Sequence, residues 1–160
     1  GARSGRSRDA GRGEALVARR PVGSGGTLVL DSDGLVKLSA GDQKARAFLE
    51  TARERGARVM VSAITLTEVL RGRPRDAAVH RVLSRITVQP VSQELGRRAG
   101  ELLGAAGLDG HRCAVDAVVA VTALEAARPV VLLTSDPDDL SRLVEEPDRP
   151  KGQRIVVVRV

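Results

Sequence analysis

Short apolar runs alternate with amphipathic segments along most of the chain. The runs are rich in Val, Leu and Ile, span four to seven residues and are bounded by polar or turn-forming residues, which is typical of strands buried in a sheet. The pattern predicts five strands, at residues 27–31, 58–62, 85–91, 130–135 and 155–160.

The segments between these runs carry apolar residues at helical spacing. They predict a helical turn and six helices, at residues 33–40, 42–56, around 66–70, 75–84, 92–106, 114–127 and 137–145. Ser92 is placed to cap a helix, and Pro137 fits a first helical turn. We expect loops at GLDGHR, residues 107–112, and at PDRPKGQR, residues 147–154.

Strands that alternate with helices indicate an α/β fold, a three-layer sandwich with a central parallel sheet flanked by helices. Ligands of such sheets bind outside the carboxyl ends of the strands. Asp31 and Asp136 follow the first and fourth predicted strands directly. This edge of the sheet is therefore the predicted functional site.

Composition divides the chain into a tail, residues 1–26, and one domain, residues 27–160. The tail is rich in Gly, Arg and Ser and predicts disorder. It contributes +4 of the net charge of +6 and leaves the domain mildly basic. The lone Cys113 favours a reducing compartment such as the cytoplasm. No apolar run approaches the ~20 residues that span a membrane, so no membrane partner is expected.

Acidic residues lie at the ends of apolar runs or inside an apolar helix, where an isolated carboxylate is unfavourable. The four are Asp31, Glu68, Asp116 and Asp136. Gathered in one cleft, they would raise one another's pKa values unless a hard cation such as Mg²⁺ or Mn²⁺ were bound. Such an ion activates water and stabilises charge in phosphate chemistry. Asp138 is read more simply as a helix cap.

Four segments, in this order, resemble the motifs of PIN-domain ribonucleases of the VapC-like toxin type. They are VLDSD, AITLTEVLRG, HRCAVDAVVAVTAL and LLTSDPDDL. The resemblance covers residues 27–160. It implies a PIN-like fold and a metal-binding catalytic quartet, Asp31, Glu68, Asp116 and Asp136, with Asp139 as a fifth acid and Ser135 steadying the site. It also implies Mg²⁺ or Mn²⁺ as cofactor, RNA as substrate, a cognate antitoxin and a homodimer.

Several interpretations stay open. Asp33 departs from the family pattern, and we favour a cap of the next helix over a metal ligand. Arg71, Arg73 and Arg75 form either a solvated face or a contact for phosphate or antitoxin, and His111 with Arg112 lines the RNA path or only solvent. LVLDSDG also resembles the nucleophile motif of haloacid dehalogenase-like phosphatases, although that leaves Glu68 and Asp116 unexplained. A non-catalytic PIN-like binding module is the third alternative. With Phe48 as the one aromatic residue, bases would not be held by stacking.

Overall fold

The computed structural model describes residues 25–160, and the sheet within them has five parallel strands in the order β3-β2-β1-β4-β5. Each strand is paired in register with its neighbours; Leu30, for example, lies between Val61 and Leu133. The strands are β1 (Thr27–Leu30), β2 (Arg58–Ser62), β3 (Thr87–Gln89), β4 (Val130–Thr134) and β5 (Val156–Arg159).

Helices connect the strands and cover both faces of the sheet. They are α1 (Ser32–Ser39), α2 (Gln43–Glu54), α3 (Leu66–Val69), α4 (Ala77–Leu83), α5 (Gln93–Ala106), α6 (Gly110–Glu125) and α7 (Pro137–Leu143). No helix within residues 25–160 combines the length and apolar character needed to cross a bilayer.

Alternation along β1 divides the core into two layers. Leu28 and Leu30 pack with α1, α2 and α4 on one face, whereas Val29 packs with α5, α6 and α7 on the other. Successive side chains of a strand point to opposite faces, so a strand buried on both sides is apolar at every position. The predicted three-layer α/β sandwich is confirmed.

The predicted elements are present, but several ends differ. β3 covers only Thr87–Gln89, not residues 85–91. Arg85 still bonds to the end of α4, its N–H donating to the Val82 carbonyl at 2.9 Å, and Pro90 has no N–H with which to continue the ladder. Ser92 caps α5 as predicted, accepting from the Leu95 N–H at 3.1 Å.

Helix α6 starts earlier than residue 114. Asp109 accepts hydrogen bonds from the N–H groups of His111 and Arg112 at 2.7 and 3.3 Å and so caps a helix that begins at Gly110. The prediction that residues 110–112 belong to a loop was wrong, because this cap adds a turn before the apolar part of the helix.

The strand order places a crevice beside β1. The chain runs from β1 through β2 and β3 on one side and then crosses to β4 and β5 on the other. The helices that follow β1 and β4 accordingly pack on opposite faces: Leu35 of α1 lies in one core layer and Leu140 of α7 in the other. In open α/β sheets such a switch point is where ligands bind.

Candidate active site

Asp31 lies at the carboxyl end of β1 and is buried, with 6% of its surface exposed. Its Oδ1 accepts a hydrogen bond from the Gly34 N–H at 2.8 Å, and its own N–H donates to the Leu133 carbonyl at 3.1 Å. The side chain therefore caps α1 while its backbone is bonded to β4. One carboxylate is therefore fixed at the carboxyl ends of β1 and β4.

Burial raises the pKa of Asp31 to about 6, because removal from water disfavours the charged form. Hydrogen bonds from the Thr134 hydroxyl and the Gly34 N–H lower the pKa and partly offset the burial. The charges of Asp33 and Asp116 add to the rise. A cation bound beside Asp31 would favour the charged carboxylate and so lower its pKa.

Gly34 lets α1 approach β4 closely. A Cβ built on this residue would lie 2.8 Å from the Leu133 carbonyl oxygen and 3.4 Å from Oδ1 of Asp31. A side chain at this position would push apart the two elements that meet behind Asp31. The glycine following the VLDSD motif is thus required by packing.

Asp116 projects from α6 and is electrostatically coupled to the other acids. Its pKa is raised, first by burial and then by the charges of Glu68, Asp139, Asp136 and Asp33. Glu68 is exposed on α3, and Asp139 is half-buried in the first turn of α7. The structure thus brings all five predicted acids, together with Asp33, to one edge of the sheet.

The turn from β4 into α7 is built around Thr134, which is buried. Its Oγ1 accepts from the Asp136 N–H at 3.1 Å and lies 3.2 Å from the Asp136 carbonyl oxygen. Asp136 then caps α7, accepting from the Asp138 N–H at 3.5 Å. The interpretation of Asp138 as the cap was wrong: Asp138 lies in the first turn of α7, and its N–H donates to the capping Asp136.

Ser135 donates a hydrogen bond from its hydroxyl to Oδ2 of Asp33. This bond joins the first turn of α1 to the turn that carries Asp136. The prediction that Asp33 caps α1 was wrong, because Asp31 already holds that position. Asp33 instead adds a carboxylate whose charge acts on both Asp31 and Asp116.

A PIN-domain family model matches residues 28–146, a range that contains every acid of the cluster. The chain belongs to the PIN-domain family. A search of curated proteins finds no match to this chain.

Two solved structures are similar to this PIN domain in fold. One is the VapBC2 complex from Rickettsia felis bound to a DNA fragment from its promoter, with a TM-score of 0.61 and 18% identity over 84% of this chain and 98% of that chain. The other is a toxin–antitoxin complex from Klebsiella pneumoniae, with a TM-score of 0.53 and 24% identity over 71% of this chain and 90% of that chain. At these identities the likeness is one of fold.

The acids of the PIN domain have the donor chemistry of a Mg²⁺ or Mn²⁺ site. No three His, Cys, Asp or Glu side chains within residues 25–160 are gathered closely enough to hold one metal ion between them. Mg²⁺ usually takes only one or two protein carboxylates and keeps several waters. Buried Asp31 and half-buried Asp116 fit that arrangement, with the remaining acids acting through water or through their charge.

Thr134 was not predicted from the sequence. Its signal was a hydroxyl residue at the end of a buried strand, two positions before an acid.

The positions of the other candidate residues are as follows. His111 and Arg112 are exposed in the first turn of α6. Cys113 is buried in the core, and burial, followed by the charges of Asp139 and Asp116, raises the pKa of its thiol. Cys113 therefore packs in the core and is not part of the candidate site.

Proposed function

We propose that this PIN domain is a Mg²⁺- or Mn²⁺-dependent endoribonuclease and the toxin of a toxin–antitoxin pair. The observation that carries the proposal is the coupling of Asp116 to acids from three other parts of the chain, the α1, α3 and α7 segments. So many carboxylates at the switch point of a parallel sheet repel one another and favour a divalent cation.

In this proposal Asp31, Glu68, Asp116 and Asp136 are the catalytic metal-binding acids, with Asp139 as a fifth. Asp31 and Asp116 would contact the ion directly, and the others would act through bound water or through their charge. A bound divalent ion would supply a Lewis acid and lower the pKa of a water molecule that attacks the phosphodiester. The Gly34 N–H holds the carboxylate of Asp31, and the Thr134 hydroxyl holds the backbone of Asp136. One carboxylate and the turn that carries another are therefore in place before substrate binds. Ser135 steadies Asp33 and thereby the approach of α1 to the β4–α7 turn.

The antitoxin partner is inferred from the two structural neighbours, the VapBC2 complex and the toxin–antitoxin complex. We expect expression of this chain to arrest growth and co-expression of the protein encoded beside it to restore growth. The homodimer is a further part of the proposal, with α5 (Gln93–Ala106) as the candidate contact. Light scattering of the purified chain tests this state separately from cleavage.

The direct test of the reaction uses RNA and DNA oligonucleotides of the same sequences, each with Mn²⁺, with Mg²⁺ or with EDTA. We expect cleavage of RNA only, and only with a divalent ion. Attack by water displaces the 3′-oxygen, so the new ends are a 3′-hydroxyl and a 5′-phosphate. Cyclic phosphate ends, which arise from attack by the 2′-hydroxyl, would contradict a metal-activated water.

Two alternative functions make different predictions in the same assay. A haloacid dehalogenase-like phosphatase would form a phosphoryl-aspartate at Asp31, would bind beryllofluoride there as a mimic of that intermediate, and would leave internal phosphodiesters intact. That alternative gives Glu68 no role, although the charge of Glu68 acts on Asp116. A non-catalytic PIN-like module would bind RNA and leave it unchanged after long incubation with Mn²⁺.

A further inference from the structure

A buried carboxylate outside the acidic cluster organises the loop that follows α3. Asp76 is 5% exposed. Its Oδ2 accepts hydrogen bonds from the backbone N–H groups of Arg71, Gly72 and Arg73 at 2.8, 2.8 and 3.2 Å. A carboxylate that accepts three N–H bonds is stabilised in its charged form, and the pKa of Asp76 is accordingly lowered, chiefly by the bond from Arg71.

These bonds fix the conformation of residues 71–75, a segment we call the arginine loop. Gly72 has a φ of 69°, in the left-handed region that suits glycine, and Pro74 begins the turn that leads into α4. The loop is therefore held from beneath by Asp76 and restricted at two of its own positions. Its conformation does not depend on any contact made by its side chains with a ligand.

Arg71, Arg73 and Arg75 all project from this rigid loop and are exposed. Within residues 25–160, no carboxylate lies within ion-pair distance of any of the three, whereas Arg98, Arg128 and Arg149 do have such partners. Three unpaired guanidinium groups repel one another, so this arrangement favours a bound polyanion.

Arg71 is the best oriented of the three. Its Nη1 donates to the Thr67 and Leu70 carbonyls at 2.9 and 2.8 Å, at the C-terminal end of α3. Its Nη2 and Nε have no hydrogen-bond partner among the described residues, so a fork of donors is left for a ligand. Holding one side of the guanidinium group reduces the entropy lost when the other side binds.

The arginine loop lies on the rim of the acidic cluster. Arg71 follows Glu68 by three residues, so their Cα atoms are at most about 11 Å apart. Glu68 is close enough to Asp116 for its charge to raise the pKa of that residue. A strand of nucleic acid whose phosphodiester reached the acids could therefore place a flanking phosphate at this loop, since phosphates repeat every few ångströms along the backbone.

We infer that the arginine loop binds phosphates of the RNA strand beside the cleavage site and that Asp76 is its positioning residue. The inference rests on the proposed ribonuclease function. The loop itself contains no apolar side chain except Pro74, so it lacks the apolar anchors typical of a protein-binding hot spot. With no Trp or Tyr in the chain, base stacking is a poor alternative, and contacts to the phosphates remain.

The test compares two triple variants that remove the same charge. One is Arg71→Gln/Arg73→Gln/Arg75→Gln. The matched control is Arg53→Gln/Arg55→Gln/Arg58→Gln, three exposed arginines near the start of β2, at the opposite edge of the sheet. Both are made in the Asp116→Asn background so that RNA is bound and not cut. Far-UV circular dichroism verifies that each folds.

Binding of mixed-sequence single-stranded RNA is measured over a range of salt concentrations. We expect the loop variant to bind about tenfold to hundredfold more weakly and its slope of log Kd against log salt to fall by about 2, since each lost phosphate contact on a single strand removes about 0.7. The control should retain the wild-type slope. The triple Arg→Lys variant should recover most of the slope, because it keeps the charge. Equal losses in the loop variant and the control would overturn the inference.

Cleavage by the same triples in the wild-type background separates this inference from the proposed function. If the unaltered chain cuts no RNA with Mn²⁺, the ribonuclease proposal fails. If the unaltered chain cuts RNA and the loop variant cuts and binds it equally well, only the role of the arginine loop is refuted. We expect the loop variant to raise KM with little change in kcat, since lost phosphate contacts weaken ground-state and transition-state binding alike.

Discussion

Replacing Asp31 by asparagine removes a buried charge while keeping the shape of the side chain and an oxygen that can cap α1. Asparagine and aspartate are about equally good N-caps, so the bond from the Gly34 N–H can persist. The variant should therefore isolate the energetic cost of placing a carboxylate at this position. We expect it to unfold less readily than the wild type in the absence of divalent metal, and to be inactive.

The magnitude follows from the pKa of Asp31, which burial raises from 3.8 to about 6. A difference of about 2 pH units corresponds to about 3 kcal/mol at 1.36 kcal/mol per unit. Because the folded pKa lies above the unfolded one, stability falls as pH rises from about 4 to about 6, and the full penalty applies at pH 7. For a chain of this length, about 3 kcal/mol raises the melting temperature by roughly 6–12 °C.

The assay is thermal unfolding followed by far-UV circular dichroism at pH 4 and pH 7, with EDTA. Asp42→Asn is the matched control: Asp42 caps α2 by accepting from the Ala45 N–H at 2.9 Å, outside the acidic cluster, and should change stability little. Saturating Mn²⁺ should stabilise the wild type more than Asp31→Asn. The reasoning is refuted if Asp31→Asn is no more stable at pH 7, or gains as much at pH 4 as at pH 7.

Two further substitutions test the surroundings of Asp31. Gly34→Ala should lower stability by about 1–3 kcal/mol and slow RNA cleavage, because the new Cβ would lie 2.8 Å from the Leu133 carbonyl oxygen. Its control is Gly96→Ala, where a Cβ meets nothing within 4 Å and alanine should stabilise α5 by about 0.5–1 kcal/mol; losses of stability in both variants would contradict this assignment. Thr134→Val removes a hydroxyl that lowers the pKa of Asp31, so the acidic limb of the profile of cleavage rate against pH should move to higher pH. An unchanged limb would show that Asp31 does not govern it.

The three layers of the fold could be predicted because the sequence of each strand shows whether one or both of its faces are buried. Val29, between Leu28 and Leu30, is apolar since it faces the second helical layer, and this uninterrupted run distinguishes a strand buried on both sides from a half-exposed one. The gathering of the acids could be expected for a similar reason. Asp116 interrupts an apolar helix, and Asp31 follows a buried strand.

Other features depend on contacts that are not local in sequence. Whether Asp31 or Asp33 caps α1 depends on the backbone angle at which the chain leaves β1, and the bond from Ser135 to Asp33 joins residues 102 positions apart. Thr134 acts on Asp31 only because β1 and β4 are neighbours in the sheet. No single segment of the sequence determines the strand order, which decides that pairing.

Loop residues were the second source of difference between the predicted and the observed structure. Asp76 follows an arginine-rich stretch and suggested no role, yet it is buried and accepts three backbone N–H groups. Asp109 likewise lengthens α6 by capping it. In both cases the carboxylate accepts hydrogen bonds from nearby backbone N–H groups, although Asp76 is buried and Asp109 is exposed.

The most direct test of a metal-dependent PIN nuclease is the rate of RNA cleavage as a function of Mn²⁺ concentration, for the wild type, Asp116→Asn and Asp109→Asn. Asp109 is the exposed N-cap of the helix that carries Asp116. The Asp109→Asn variant therefore controls for the loss of one acid and for a contaminating nuclease. We predict saturable Mn²⁺-dependent cleavage by the wild type and by Asp109→Asn, and none by Asp116→Asn. Cleavage by Asp116→Asn at the wild-type rate, or wild-type cleavage that persists in EDTA, would contradict the account.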